Sequence, residues 1–455
     1  MKPHTLRRTF AFVFIVVQVL AAHDGLLAQS PIFPKGTNLT SLTVIHGTNL
    51  GNDSQKFLMA TLQGLVARRS SSQIYIDNDG SYGRWKNHLR DNYGVPYTTT
   101  PILGYWTMVG NFAPLVSGRY ILYNRTANAN SISVANSLSG PLDAVAVDAS
   151  IELSAKVLGG LNNKILDVSA RDEAWAWTNY YSSFNRSNVV EQEEWIAFNL
   201  RDYAAMANAF TFFDGNSTFR SNVLSAMDPD TACIGWGDGS LGEDQFVSRS
   251  SSNGVFTVPA NFALNLSTLS SVRDPFLVQR TYTFPTPETN VHYVTFIATD
   301  GDNVQWDVGG YDGYFSQPQR GSFNMGWTIA PTLPDLAPSV MRWFYENSSN
   351  GPSRDFFVCG ASGAGYMYPS MYPSAELPLH VQKLNNLMAR ADLNISEILD
   401  FNSVSRIDLW NQYLAQPAID ALYYLDYSPY HGAKGAVYFS TNGKPVIACR
   451  ESLWA

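Results

Sequence analysis

The sequence predicts an α/β protein: small α/β modules leading into a larger C-terminal domain built as a TIM-like barrel, complete or incomplete. Three observations carry this. Short apolar runs of strand length alternate with helical patterns along most of the chain, which predicts parallel sheets. A proline-stiffened stretch, Thr283-Phe284-Pro285-Thr286-Pro287-Glu288, divides the chain into two parts. Beyond it, polar residues recur just after the strand-like runs, where α/β barrels place their chemistry.

At the N-terminus, Lys2, Arg7 and Arg8 precede an apolar run from Phe10 to Ala22, interrupted by Gln18, and then Leu26-Leu27-Ala28-Gln29. This pattern predicts a signal peptide over residues 1–28 with cleavage after Ala28, and hence a secreted, extracellular protein. The run is shorter than the roughly 20 apolar residues of a membrane span, and no later segment reads as one.

Four domains are predicted after the signal. In the first, 30–113, Ser41-Leu42-Thr43-Val44-Ile45 and Gln73-Ile74-Tyr75-Ile76 read as strands around a helix from Ser54, its N-cap, to Arg69. The second, 114–188, repeats the unit, with strands at Arg119 to Tyr123 and Ala144 to Val147 around a helix from Ala127 to Leu138. From Arg171 to Phe213 the pattern reads as helical, with Trp175, Trp177, Trp195, Phe198 and Tyr203 as core-facing aromatics. The third domain, 189–284, includes a Gly-Trp strand end, Gly235-Trp236-Gly237-Asp238-Gly239, followed by Glu243 and Asp244.

The C-terminal domain, 290–455, shows strand-like runs at Val291 to Ala298, Gly326 to Ile329, Asp355 to Gly360, Ile395 to Phe401, Ala421 to Tyr424 and Lys444 to Cys449. Helical patterns lie between them at Ser339 to Glu346, Leu377 to Ala391 and Arg406 to Gln416. The predicted strand ends carry Asp300 and Asp302, Tyr366 and Tyr368, Asn402, Asp426 with Tyr427, and Arg450 with Glu451. A complete eightfold barrel takes about 200 to 250 residues, and only about 165 follow the linker. The expectation is therefore an incomplete barrel or a C-terminally truncated chain.

Composition narrows the partners. A net charge of -8 without basic clusters argues against nucleic acid. Aromatic content of 13% suits a sugar-binding surface or a large core. Cys233, Cys359 and Cys449 are too few and too far apart for a disulfide framework or a CxxC metal site, and read as buried. Acceptor sequons at Asn38, Asn52, Asn124, Asn185, Asn216, Asn265, Asn347 and Asn394 predict a glycoprotein in a eukaryotic host, with the occupied asparagines exposed.

The most informative stretch is Gly363-Ala364-Gly365-Tyr366-Met367-Tyr368-Pro369, which follows the apolar run Phe356-Phe357-Val358-Cys359-Gly360. Two glycines permit close backbone approach, and two tyrosines offer apolar faces with hydroxyl handles, a combination suited to a sugar. The heptapeptide resembles the signature of the GxGYxYP glycoside hydrolase family. Ala298-Thr299-Asp300-Gly301-Asp302-Asn303-Val304-Gln305-Trp306 is similar to the acidic turn that opens that family's C-terminal domain, and Gly326-Trp327 extends the resemblance. It implies a barrel-like C-terminal domain acting on a glycan or oligosaccharide.

Glycoside hydrolysis uses two carboxyl groups, one giving a proton and the other acting as base or nucleophile. Asp300 and Asp302 are the first candidates, since like charges so close raise one pKa; the partner is sought in Asp426 or Glu451, with Glu243 as an outsider that could instead bind substrate. Substrate contacts are expected from Asn303, Trp306, Trp327, Gly363, Gly365, Tyr366, Tyr368, Tyr427 and His431. The alternative reading of Asp-Gly-Asp-Asn is a plain turn or a calcium loop, although the full EF-hand pattern is absent; no other cofactor or metal is expected. A non-catalytic carbohydrate-binding protein would use the same acidic turn and tyrosine loop.

Overall fold

A computed structural model describes residues 32–213, 218–239, 241–280, 286, 288–349, 351 and 353–453. The signal segment, Asn216 and most of the proline-stiffened stretch lie outside the described residues. The architecture below belongs to a single compact unit, Pro34–Ala455.

Three small parallel sheets come first. In the first, β1 (Ser41–His46) lies between β2 (Ser72–Asp77) and β3 (Tyr97–Thr99). The helix Asp53–Arg69 is capped two residues earlier than its sequence suggests. Asn52, not Ser54, is the N-cap, and it exchanges hydrogen bonds with Gln55: its side chain accepts from the Gln55 N–H at 3.0 Å, and Gln55 accepts from the Asn52 N–H at 3.2 Å. Every residue from Phe57 to Ala67 is buried, because neighbouring elements cover this helix all round.

The second sheet sets β4 (Arg119–Tyr123) between β5 (Val145–Asp148) and β6 (Asn163–Asp167). In the third, the order is β10-β9-β7-β8, for β7 (Asn188–Glu191), β8 (Phe210–Phe212), β9 (Thr231–Gly235) and β10 (Val255–Val258). The helical reading of 171–213 therefore needs correction. Helices form at Glu173–Tyr180 and Arg201–Ala207, but Val189-Val190 and Phe210-Thr211-Phe212 are strands. Their β-branched and aromatic side chains fill a buried parallel sheet, where a run of three or four residues leaves no alternation to read. Trp195 is in a loop and 61% exposed, not in the core.

The C-terminal sheet has seven strands in the order β11-β12-β13-β14-β15-β17-β16: β11 (Ile297–Ala298), β12 (Met325–Ile329), β13 (Asp355–Cys359), β14 (Ile395–Asp400), β15 (Ala421–Asp426), β16 (Val437–Phe439) and β17 (Pro445–Ala448). Neighbours are parallel except β16 with β17. Among the described residues no ladder joins β11 to β16 or β17, so the sheet is mixed and open, and the expected TIM-like barrel does not close. The run from Val291 pairs only at its last two residues, and Tyr293 and Val294 stay exposed.

Cys233, Cys359 and Cys449 are buried free thiols. Among the sequons, Asn265 departs from the expected exposure. It is 1% exposed, accepts from the Ile76 N–H at 2.7 Å and from Gln63 Nε2 at 2.8 Å, and donates to the Ile76 carbonyl at 2.9 Å. A glycan there would strip three buried hydrogen bonds, so Asn265 is expected to stay unmodified even in a glycosylating host. Peptide mass spectrometry after deglycosylation in heavy-oxygen water checks this; label at Asn265 would contradict it.

Candidate active site

The acidic turn follows β11 directly. Asp300 adopts φ +70°, the left-handed region that Asp tolerates, and the Gly301 N–H donates to Thr328 Oγ1 at 2.9 Å. Asn303 then starts the helix Val304–Gly309 and orients the turn, donating to the Asp300 carbonyl at 3.2 Å and to Asp302 Oδ1 at 3.4 Å. The two aspartates therefore differ in setting. Asp300 is exposed as a residue, yet its carboxyl is crowded enough for desolvation to raise its pKa. Asp302 is 8% exposed, and burial, then the charges of Asp300 and Glu243, push its pKa up to about 7.

Two further carboxyls belong to this group and were not singled out from the sequence. Asp307, one helical turn on, is fully buried; the Ala330 N–H donates to its Oδ2 at 3.2 Å, while Oδ1 has no protein partner. Glu397, within β14, is 2% exposed with Oε2 unmatched. Burial raises both pKa values well above normal, and Asp302 adds to each. Glu397 sits in Ile395-Ser396-Glu397-Ile398, where an acid in the middle of a buried strand is a usable signal, since such groups are rarely buried without a role.

Glu243 reaches this group from the third domain. It opens the helix Glu243–Ser252, and the Tyr366 hydroxyl donates to its Oε1 at 2.8 Å. Burial raises its pKa, the Tyr366 hydrogen bond opposes the rise, and the charges of Asp300, Asp238 and Asp244 add to it.

The Gly-Ala-Gly-Tyr-Met-Tyr-Pro loop is what joins the two sides. Gly365 passes so close to β10 that a Cβ would fall 2.5 Å from the Thr257 carbonyl oxygen. That approach lets Tyr366 and Thr257 exchange backbone hydrogen bonds of 2.7 and 2.9 Å. Gly363 lies against His380, where a Cβ would fall 1.9 Å from Nε2. His380 Nε2 accepts from the Ala364 N–H at 3.2 Å, and its Nδ1 donates to Asp230 Oδ1 at 2.6 Å, so both ring nitrogens are occupied. Asp230 also receives the Tyr372 hydroxyl at 2.8 Å and the Lys383 ammonium. Burial works against its charge, but His380 and Lys383 hold its pKa below normal.

Tyr366 and Tyr368 are 5% and 0% exposed, so their rings pack inside the protein and present no flat face outward. Their hydroxyls, 3.0 Å apart, instead form a line ending on Glu243. The sequence shows the residue types but not this direction, because what buries the rings is far away in the chain: Trp236 of the third domain beside Tyr366, and Phe401 and Tyr427 beside Tyr368.

The other candidates fall in several places. Trp327 is 8% exposed, donates Nε1 to Asp355 at 2.8 Å and packs against Tyr311 and Phe315, so its ring belongs to the core. Asp426, 7% exposed, accepts from the Asn402 N–H at 2.7 Å and the Tyr424 hydroxyl at 3.3 Å, tying two loops together. Glu451 is exposed, and the charges that act on Asp302 are those of Asp300 and Glu243. Tyr427 is half-buried against Tyr368 and Phe401, His431 is exposed, and Trp306 is half-buried against Tyr314. Among the described residues no three His, Cys, Asp or Glu side chains are arranged to hold a metal ion. A cavity of about 500 Å³ lies elsewhere, lined by Gly110, Pro114, Ser117 and Asn162 among others, and has no titratable side chain.

Comparison with known proteins identifies the family. Four family models match in series: the GxGYxYP first domain over residues 41–113, second domain over 118–184, third domain over 186–271, and the "GxGYxYP putative glycoside hydrolase C-terminal domain" over 290–455. A crystal structure of a "putative hydrolase" from Bacteroides thetaiotaomicron VPI-5482 is similar at 37% identity and a TM-score of 0.86, over 94% of this chain and 84% of that one. No curated protein matches.

Proposed function

This chain belongs to the GxGYxYP family, and from that premise we propose that it is a secreted glycoside hydrolase whose carboxyl pair is Asp302 and Glu243. The observation that carries this reading is the buried carboxyl of Asp302 at the acidic turn, its pKa pushed up to about 7 by burial first and then by the charges of Asp300 and Glu243. A carboxyl in that range is protonated in a useful fraction of molecules near neutral pH and can give its proton to a departing sugar oxygen. Glu243 is the partner: burial raises its pKa, and the Tyr366 hydroxyl that donates to it offsets part of that rise in favour of the charged form that a base or nucleophile requires. Asp300, exposed beside them, adds its charge to the burial that raises the Asp302 pKa. We read the open sheet as an incomplete barrel of the TIM type, with the acidic turn at the carboxyl end of β11 as barrel chemistry requires. The basic and apolar segment before Ala28 supports secretion.

Release of reducing sugar from plant, fungal and animal glycans tests the reading. The pH profile adds a sharper check through Asp300→Asn. Removing that charge lowers the pKa of Asp302, and Asp302 must be protonated to act, so the alkaline limb of the rate profile is expected to move to lower pH. A limb that stays in place or moves to higher pH would remove Asp302 from the acid role; binding without release from any glycan would favour a carbohydrate-binding protein.

A further inference from the structure

Trp195 and Phe262, 61% and 49% exposed, stand with ring centroids 6.2 Å apart on the surface of the third domain. Fully buried aromatics normally supply a core, and two large rings left beside each other in water call for a ligand. Their setting limits what that ligand can be. Ile196 and Ala197, which follow Trp195, are buried, so the apolar surface offered there consists of the rings themselves. Around them Glu193, Glu194, Asn199 and Gln305 are half-buried polar side chains. Flat rings among amides and carboxylates match the C–H faces and hydroxyls of a sugar better than the aliphatic surface of a protein partner.

The pair is also continuous with the carboxyl group of residues. The Phe262 N–H donates to Gln305 Oε1 at 2.9 Å, and Gln305 stands three residues after Asp302, in the first turn of the helix that the acidic turn opens. The next residue, Trp306, packs at 5.2 Å on Tyr314, itself 56% exposed. From the other side, the charge of Asp238 acts on both Glu193 and Glu243.

We propose that Trp195 and Phe262 form a glycan-binding platform that holds sugar rings of the same chain some distance from the bond cleaved between Asp302 and Glu243. The proposal rests on the glycan reading above. A platform of this kind holds a long chain without touching the reacting atoms, so it acts on binding of polymers and leaves the chemical step alone.

Affinity electrophoresis in gels containing soluble β-glucan, xylan, mannan or hyaluronan tests it, using the full chain, Asp302→Asn, Trp195→Ala/Phe262→Ala and Trp195→Tyr. The expected result is retardation of the wild type and of Asp302→Asn by at least one polymer, with about tenfold weaker retardation of the double variant and partial recovery in Trp195→Tyr. Equal retardation of the double variant, or no retardation of the wild type by any of the four, overturns the platform. Loss of hydrolysis is read separately, so a protein that binds through these rings without releasing sugar would sink the catalytic reading and leave the platform standing. Because both rings are exposed, the double variant is expected to melt with the wild type, which checks that lost binding is not lost folding.

Discussion

Asp302→Asn is expected to lower glycan hydrolysis by about 10²–10⁴-fold, the usual contribution of a positioned proton donor. The substitution keeps the shape of the side chain and removes the proton that can be given. It is also mild for the fold: with its pKa at about 7, Asp302 is largely uncharged below neutrality, and an amide replaces a neutral acid. Glu243→Gln is expected to cost a similar factor, because the Tyr366 hydroxyl would then face an uncharged amide that is neither base nor nucleophile. The two carboxyls serve one reaction, so the double variant should be little worse than the worse single one. Initial rates of reducing-sugar release at a pH below the Asp302 pKa, with melting temperatures alongside, decide it. Wild-type rates in either single variant would remove that residue from the mechanism, and multiplied losses in the double variant would argue against a shared step.

The second large effect is structural. Gly363→Ala places a methyl group 1.9 Å from His380 Nε2, and His380 has nowhere to go. Its Nδ1 is fixed to Asp230, and its ring packs against Phe256 and Tyr372 at centroid distances of 5.1 and 5.2 Å. Either the ring moves and Asp230 loses a partner in a buried site, or the loop moves and Tyr366 leaves β10. Overpacking of this kind costs about 3 kcal/mol, and the loss should appear as a lower midpoint in urea with an unchanged slope. An unchanged midpoint would mean the loop yields freely and that the first glycine of the signature has another reason.

Much of the architecture was legible because it repeats. The strands at Ser41–His46 and Arg119–Tyr123 announce themselves by apolar and β-branched runs between turn residues, and Ile395–Asp400 by the apolar residues around Ser396 and Glu397. Asn188–Glu191 and Phe210–Phe212 did not, since strands of three and four residues carry too little pattern to outweigh the helical spacing of the aromatics around them. At the site, Asp300, Asp302 and the glycine-tyrosine loop were visible as local clusters. Asp307 and the weight of Glu243 were not, because nothing local marks them, and Glu397 showed only as an acid inside a strand-like run: their significance comes from neighbours far away in the sequence, such as Ala330 donating to Asp307, Asp302 acting on Glu397 and Tyr366 reaching Glu243. Trp327 and the rings of Tyr366 and Tyr368 show the converse error, residues of the right type whose faces are already taken by the protein.

The backbone exchange between Thr257 and Tyr366 gives the signature loop a further significance. The residues it serves are divided between the third and fourth modules, and neither holds both Glu243 and Asp302. A ribosome that has finished the first three modules has made Glu243 but nothing for it to work with, and a proteolytic cut in the stretch between the third and fourth modules need not release an active fragment. On the proposed reading, activity requires the last module to have come to rest against the third, since the charge of Glu243 reaches Asp302 only across that contact.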